Sequence, residues 1–182
     1  MKQSKLSIKD LTIIAVFSAT IAICAWITIP FQLIPFTLQT FAVFLILSVL
    51  GGKKGLISIA VYILLGMVGV PVFSGFKGGL AALMGPTGGY IWGFLLQALV
   101  FILFEKYAKK IKFYQVYALI LGALLCYAAG TVWFVFVYSA NVKAISLFSA
   151  YMICVNPYLI IDAIKLVLAL LISKRLKKAL HI

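Results

Sequence analysis

The sequence has few of the residues from which catalytic and metal sites are built. Its 182 residues include three acids, one histidine and three cysteines: Asp10, Glu105, Asp162, His181, Cys24, Cys126 and Cys154. The cysteines stand in or beside apolar runs, at spacings that suit no metal, and their odd number argues against disulfides. His181 has no Cys or His cluster around it. We therefore expect no metal, no cofactor and no catalytic residue.

Motifs for energy conversion are also missing. No G-x-x-x-x-G-K-[ST] loop occurs, because Gly52-Lys53 lacks both the upstream glycine and the following Ser or Thr, and no H-E-x-x-H occurs. The chain is not expected to be an enzyme or to hydrolyse ATP. Uphill transport would need partner subunits or an ion gradient.

Charged residues make up only 10% of the chain, whereas 65% are hydrophobic and the mean hydropathy is +1.21. Soluble domains are about half apolar and about a quarter charged, so the composition indicates a single domain that lies in lipid. The net charge of +13 would suggest nucleic-acid binding in a soluble protein. Here the bases form short clusters between apolar runs, which is the pattern of cytoplasmic loops.

The apolar runs predict six membrane-spanning helices. A spanning helix needs about 20 apolar residues, and Pro and Gly pairs set the ends of these runs. The predicted ranges are approximately 11–29, 36–50, 55–70, 86–105, 113–138 and 157–173. The second and third are short, so they are expected to tilt or to extend into their flanks.

The distribution of bases sets the orientation. With the N-terminus inside, thirteen bases face the cytoplasm and only Lys77 and Lys143 face outward, while Lys165 lies within the last helix. Six crossings with both termini cytoplasmic therefore satisfy the positive-inside rule. The inner bases are Lys2, Lys5, Lys9, Lys53, Lys54, Lys106, Lys109, Lys110, Lys112, Lys174, Arg175, Lys177 and Lys178.

Two outer stretches do not fit plain helices. One is the glycine-rich segment 72–85, and the other is 139–156, which is predicted to hold a short helix at 144–155. Non-helical backbone near membrane depth is tolerated where protein covers it or where it lines a cavity. An outward-facing pocket is the natural hypothesis.

Asp162 and Lys165 are the strongest candidates for function. Their spacing of three places them on one face of the sixth helix, roughly 7 and 12 Å below Pro157 at 1.5 Å per residue. A charge at the centre of a membrane helix costs about 2.5–3.5 kcal/mol. The two charges either neutralise each other as a structural pair or hold a polar ligand, and both can be true.

The segment Gly85-Pro86-Thr87-Gly88-Gly89-Tyr90 opens the fourth helix. Its glycines and helix N-terminus suit close approach of a carbonyl or carboxylate, while Gly85 and Gly89 also have the spacing of tight helix packing. Gln39 at the start of the second helix is either a pocket residue or a link between helices.

Two further charged residues can be explained without a role in binding. Lys77 in the glycine-rich loop either attracts an anionic solute or is simply solvated. Glu105 precedes Lys109 by four residues, which predicts a structural pair on one helix. On the first helix, Ala15 and Ala19 form a small-residue pair that would let another helix approach closely.

Three segments stand out together in the sequence: PFTLQTFAV at 35–43, GLAALMGPTGGYIWGF at 79–94 and DAIK at 162–165. In order and spacing they resemble the BioY family, the biotin-specific S components of energy-coupling factor (ECF) transporters. The resemblance implies an all-α, six-helix S-component fold in the cell membrane and biotin capture from outside. It also implies delivery through a transmembrane T component with two cytosolic ATPases, which would meet the chain at Ala15 and Ala19.

Carried over to this chain, the family's acid and lysine correspond to Asp162 and Lys165. Some members have Asn in the loop after the third helix. Here the loop reads Phe73-Ser74-Gly75, which makes Ser74 the substitute candidate. The full set of expected substrate-binding residues is Asp162, Lys165, Ser74, Gly75, Gln39, Gly88 and Tyr90.

Other functions remain open at this point. The chain could be a solo carrier driven by an ion gradient, with Asp162 as its proton site, or an S component for another small vitamin. A membrane enzyme lacks a catalytic constellation, and a channel lacks a polar stripe along any helix. Whether Lys165 meets the ureido oxygen or the carboxylate of biotin is also undecided.

Overall fold

Helices account for most of the chain, as the apolar runs predict. The computed structural model describes residues 7–31 and 33–180, so Lys2, Lys5 and His181 lie outside the described residues. The elements are α1 Ile8–Trp26, β1 Thr28–Ile29, β2 Phe36–Thr37, α2 Gln39–Met67, α3 Leu80–Met84, α4 Gly88–Tyr107, α5 Tyr114–Asn141, α6 Leu147–Cys154 and α7 Leu159–Leu180. A single 3₁₀ turn, Asn156–Tyr158, precedes α7.

Among the described residues, five helical stretches are long and apolar enough to cross a membrane, and one of them is α2. This helix is sharply bent, because Gly51 has φ +76° and ψ 177°. Gly55 packs against Leu47, eight positions earlier, and Gln39 Nε2 donates to Tyr62 Oη at 2.6 Å. In a straight helix, Gln39 and Tyr62 would lie about 35 Å apart. α2 is therefore a hairpin of two arms, 39–50 and 52–67, which brings the number of crossings in the described residues to six.

The turn of this hairpin requires glycine. The combination of φ and ψ at Gly51 is one that essentially only glycine adopts, and another residue there costs about 1–3 kcal/mol. A Cβ at Gly51 would also lie 2.6 Å from Glu105 Oε1. The break predicted at Gly51-Gly52 is thus explained by backbone geometry as well as by composition.

We expect Gly51→Ala to lower the stability of the folded protein by about 1–3 kcal/mol because of this strain. The measurement is the unfolding midpoint of purified protein in detergent. Gly85→Ala is the matched control, since Gly85 has φ −72° and its Cβ would meet nothing closer than 3.4 Å. Equal midpoints for the two variants would contradict a glycine requirement at the turn.

Several boundaries differ from those expected. α1 ends at Trp26 because the chain then forms an antiparallel ribbon, in which Thr28 pairs with Thr37 and Ile29 with Phe36. The second helix consequently begins at Gln39 instead of residue 36. The segment 72–85 is partly helical, since α3 lies within it, and α7 continues past residue 173 to Leu180.

The basic clusters meet at one end of the molecule. Lys9 Nζ donates to the carbonyl of Leu180 at 3.1 Å, which joins the N- and C-terminal helices. Lys54, next to the hairpin turn, pairs with Asp10 at 2.6 Å. This end is the inner face by the positive-inside rule, so both termini are cytoplasmic.

Glu105 has a different role from the expected pair with Lys109. Its Oε2 accepts a hydrogen bond from the backbone N–H of Gly52 at 2.8 Å. The carboxylate therefore fastens the inner end of α4 to the turn of the hairpin. A contact between residues so distant in sequence has no signature in helical spacing.

The hydrophobic core centres on α2, which packs against α1, α4 and α7. Residues such as Val43, Ile46 and Leu47 have no exposed surface. α4 and α5 pack closely through glycine: a Cβ at Gly93 would meet Cys126, and one at Gly122 would meet Gln97. This layout holds the helices together at the inner end and leaves a cavity at the outer end.

Candidate functional site

A cavity of about 500 Å³ opens at the end opposite the basic clusters. Its volume lies within the range of small-molecule sites, roughly 300–1,000 Å³. The β1–β2 ribbon and the segment 73–87 border its outer opening, and α4, α5 and α7 form its walls. Its lining includes Thr37, Gln39, Thr40, Ser74, Lys77, Tyr90, Cys126, Tyr127, Tyr158, Asp162 and Lys165.

Asp162 and Lys165 form a buried ion pair in this cavity. Lys165 Nζ lies 2.6 Å from Asp162 Oδ1, and each side chain is only 6% exposed. The ammonium also donates to the carbonyl of Thr37 at 2.7 Å and to Thr40 Oγ1 at 2.9 Å. All three of its N–H groups therefore have an acceptor, which offsets the cost of burying the charge.

The Asp162 carboxylate is equally well supplied with donors. Thr40 Oγ1 donates to Oδ1 at 2.9 Å, and the Tyr127 hydroxyl donates to Oδ2. Neither Thr40 nor Tyr127 was predicted as a site residue. The polar start of the second helix, PFTLQT, could have pointed to Thr40, whereas Tyr127 is a tyrosine in the middle of a long apolar run.

Aromatic rings surround the ion pair. Lys165 Nζ lies 4.2 Å from the centroid of the Phe36 ring, a cation–π distance. Tyr158 stacks on Phe36 with centroids 5.8 Å apart, and its hydroxyl donates to the carbonyl of Ile34. These contacts attach the β1–β2 ribbon to the turn that precedes α7 and place two aromatic rings close to the charges.

Three other expected residues also line the cavity. Gln39 is buried and hydrogen-bonded to Tyr62, so it serves both as lining and as a link between the arms of α2. Tyr90 shares a hydrogen bond with Thr131 at 3.1 Å. Ser74 Oγ lies 3.0 Å from Thr28 Oγ1, which joins the loop after the hairpin to the ribbon.

Gly75 and Gly88 were expected to contact substrate, but within the described part of the chain they are not among the lining residues. Gly75 has φ +71° and forms the turn between Phe73 and Lys77. A Cβ at Gly88 would collide with the backbone carbonyl of Leu83. Both glycines shape the loops around the cavity by permitting a turn or a close backbone approach.

Tight packing also explains Gly89 and the adjoining loop. A Cβ at Gly89 would collide with Trp133 of α5, whose indole N–H donates to the carbonyl of Gly85 at 3.0 Å. At the end of α1, the indole N–H of Trp26 donates to the carbonyl of Pro71 at 2.8 Å. The outer loops are therefore tied to α5 and α1 by one indole each.

The small residues of α1 lie on the outside of the bundle. Ala15 and Ala19 are both exposed, whereas Ala22, further along the same helix, is buried. The pair thus forms a shallow patch on a helix that is otherwise rich in large exposed side chains such as Val16 and Ile23. This geometry suits close packing of another helix.

Comparison with known proteins gives consistent matches. A sequence model described as the BioY family matches residues 1–182. The chain is 44% identical to "Biotin transporter BioY" of Thermotoga maritima over 90% of this chain and 92% of that protein. It is 33% identical to "Probable biotin transporter BioY" of Pyrococcus horikoshii, over 93% of this chain and 96% of that protein.

A solved structure has the same fold. It is a crystal structure of the S-component for biotin from an ECF-type ABC transporter, with a TM-score of 0.80 and 28% identity. The match covers 94% of this chain and 92% of that one. The predicted S-component fold is thereby confirmed, as is residence in the membrane as a multi-pass protein.

Proposed function

This chain belongs to the BioY family, and from that premise we propose that it captures biotin at the outer face of the membrane for import. Its sequence relatives and its structural neighbour are transport proteins, in agreement with the expectation that the chain is not an enzyme. The observation that carries the proposal is the buried Asp162–Lys165 pair inside an outward-opening cavity.

The chemistry of this pair matches the ring of biotin. The ureido group of biotin has two N–H donors and one carbonyl acceptor, so a carboxylate and an ammonium 2.6 Å apart are complementary to it. The fused sulfur ring is apolar and suits the apolar lining, which includes Tyr158, Ile91 and Phe94. We assign Gln39, Ser74 and Tyr90 as further contacts, because their side chains line the same cavity.

We further propose that transport depends on an ECF T component and two cytosolic ATPases. The chain carries no phosphate-binding loop of its own, so the energy must come from elsewhere. The exposed patch at Ala15 and Ala19 is the surface we assign to the T component. Uptake by this subunit in cells that lack the ATPases would instead support a solo carrier.

A ligand screen tests the proposed substrate. Biotin, thiamin, riboflavin and lipoate are each added to the purified protein, and the unfolding midpoint is recorded. A ligand that binds only the folded state stabilises that state by about 2.7 kcal/mol when the ligand concentration is a hundred times Kd. We expect a clear shift with biotin alone, and a shift with another vitamin but none with biotin would overturn the assignment.

We expect Tyr127→Phe to weaken biotin binding about tenfold, because Asp162 loses a hydrogen bond that fixes its orientation. Isothermal titration calorimetry measures the change. Tyr117→Phe is the control, since Tyr117 lies on the same helix and is 53% exposed. An unchanged affinity in Tyr127→Phe would mean that Asp162 is positioned without the phenol.

A further inference from the structure

The charges that line the cavity do not balance. Three charged side chains line it, Asp162, Lys165 and Lys77. The first two form an ion pair and together are neutral. In the part of the chain that the structure describes, Lys77 has no ion-pair partner. The cavity therefore carries one excess positive charge, and it lies at Lys77.

The backbone of Lys77 is held firmly at the rim of the cavity. Its carbonyl accepts a hydrogen bond from the N–H of Phe73 at 2.9 Å, across a turn in which Gly75 and Phe76 have positive φ. Phe73 is buried against Tyr62, and Phe76 stacks on Trp26. The side chain of Lys77 itself is exposed, so its ammonium can reach a ligand without disturbing the fold.

Lys165 is a poor place for a second carboxylate. Its three N–H groups already bond to Thr37, Thr40 and Asp162. A ligand carboxylate that displaced Thr37 or Thr40 would lie within a few ångströms of the Asp162 carboxylate, and two like charges repel strongly in a site this buried. A neutral group that both donates and accepts hydrogen bonds meets no such repulsion.

We infer that Lys77 binds the carboxylate of the ligand, and that the neutral ureido ring lies at Asp162 and Lys165. This assignment rests on the proposed function and orients biotin with its ring deep in the cavity and its acidic tail at the rim. The two ends of the ligand are then recognised by separate elements, α7 for the ring and the segment between α2 and α3 for the tail. A single residue, Lys77, then determines the preference for a ligand with an acidic tail.

The test compares biotin with biotinamide, whose tail is uncharged, as ligands of the wild type and of Lys77→Gln. We expect the wild type to bind biotin about tenfold more tightly than biotinamide, the effect of one hydrogen bond between charged groups. Lys77→Gln should bind both ligands with the affinity that the wild type has for biotinamide. Lys143→Gln, which removes the other outer-side lysine, should behave as the wild type.

Two outcomes would overturn the inference. One is a wild type that binds biotin and biotinamide equally, and the other is a Lys77→Gln variant that keeps the tenfold preference for biotin. A wild type that binds neither compound would contradict the proposed function itself. The failure of the Lys77 assignment is therefore distinguishable from the failure of biotin capture.

Discussion

Asp162→Asn is expected to lower the affinity for biotin about a hundredfold or more. The substitution removes the charged acceptor for the ureido N–H groups, and hydrogen bonds to charged groups contribute about 1.5–3 kcal/mol each. It also leaves Lys165 buried without a counter-ion, although Thr37 and Thr40 still accept from its ammonium. The measurement is the dissociation constant of purified protein by calorimetry.

The experiment must distinguish a loss of biotin binding from a loss of folding. Removing one partner of a buried pair can cost about 3–5 kcal/mol, so Asp162→Asn alone could destabilise the fold. The double variant Asp162→Asn with Lys165→Gln leaves no unpaired charge, and we expect its unfolding midpoint to return toward that of the wild type while biotin binding stays lost. Near-wild-type affinity in both variants would show that Asp162 and Lys165 do not bind biotin.

Asp10→Asn provides the control for a simple change of charge. Asp10 also forms an ion pair, with Lys54, but at the inner end of the protein and with both side chains partly exposed. Solvent screens a pair of this kind, so it contributes little to stability. We expect Asp10→Asn to leave the affinity for biotin unchanged.

Replacing both Ala15 and Ala19 by leucine is expected to reduce biotin uptake by cells to the background level, with biotin binding by the purified protein unchanged. Both alanines are exposed on the outside of α1, so leucine fits without disturbing the core. Larger side chains there would prevent another helix from approaching closely, because tight packing in membranes depends on small residues. Uptake of radiolabelled biotin and co-purification of partner subunits are the two measurements.

Val16→Leu is the matched control, because Val16 is exposed on the same helix but is already large. Full uptake by the Ala15→Leu, Ala19→Leu double variant would place the partner surface elsewhere. Loss of biotin binding in that variant would show instead that α1 shapes the cavity. The prediction holds only if transport is lost and capture is retained.

Much of the fold follows from local pattern. Apolar run length gives the spanning segments, the Gly51-Gly52 pair marks the hairpin turn, and the basic clusters identify the inner end. The spacing of Asp162 and Lys165 places both on one helical face, and the structure joins them at 2.6 Å. Each of these features depends on residues close together in sequence or on the composition of a segment.

The features that escaped prediction are tertiary contacts. Tyr127 reaches Asp162 from a different helix, and Glu105 bonds to Gly52 instead of pairing along its own helix. The two-residue strands around Pro30 and Pro35 are too short to show an alternating pattern. Gly88 was expected to contact the ligand because glycine permits close approach, but the group that approaches Gly88 in the structure is the backbone carbonyl of Leu83.

The indole contacts at the cavity rim give the protein built-in optical reporters. Trp26 and Trp133, two of its three tryptophans, are tied by hydrogen bonds to the carbonyls of Pro71 and Gly85. Those carbonyls begin and end the loop segment that covers the cavity. The intrinsic fluorescence of this membrane protein is therefore weighted toward the rim of the cavity, so under the proposed assignment we expect biotin binding to change it without an attached dye.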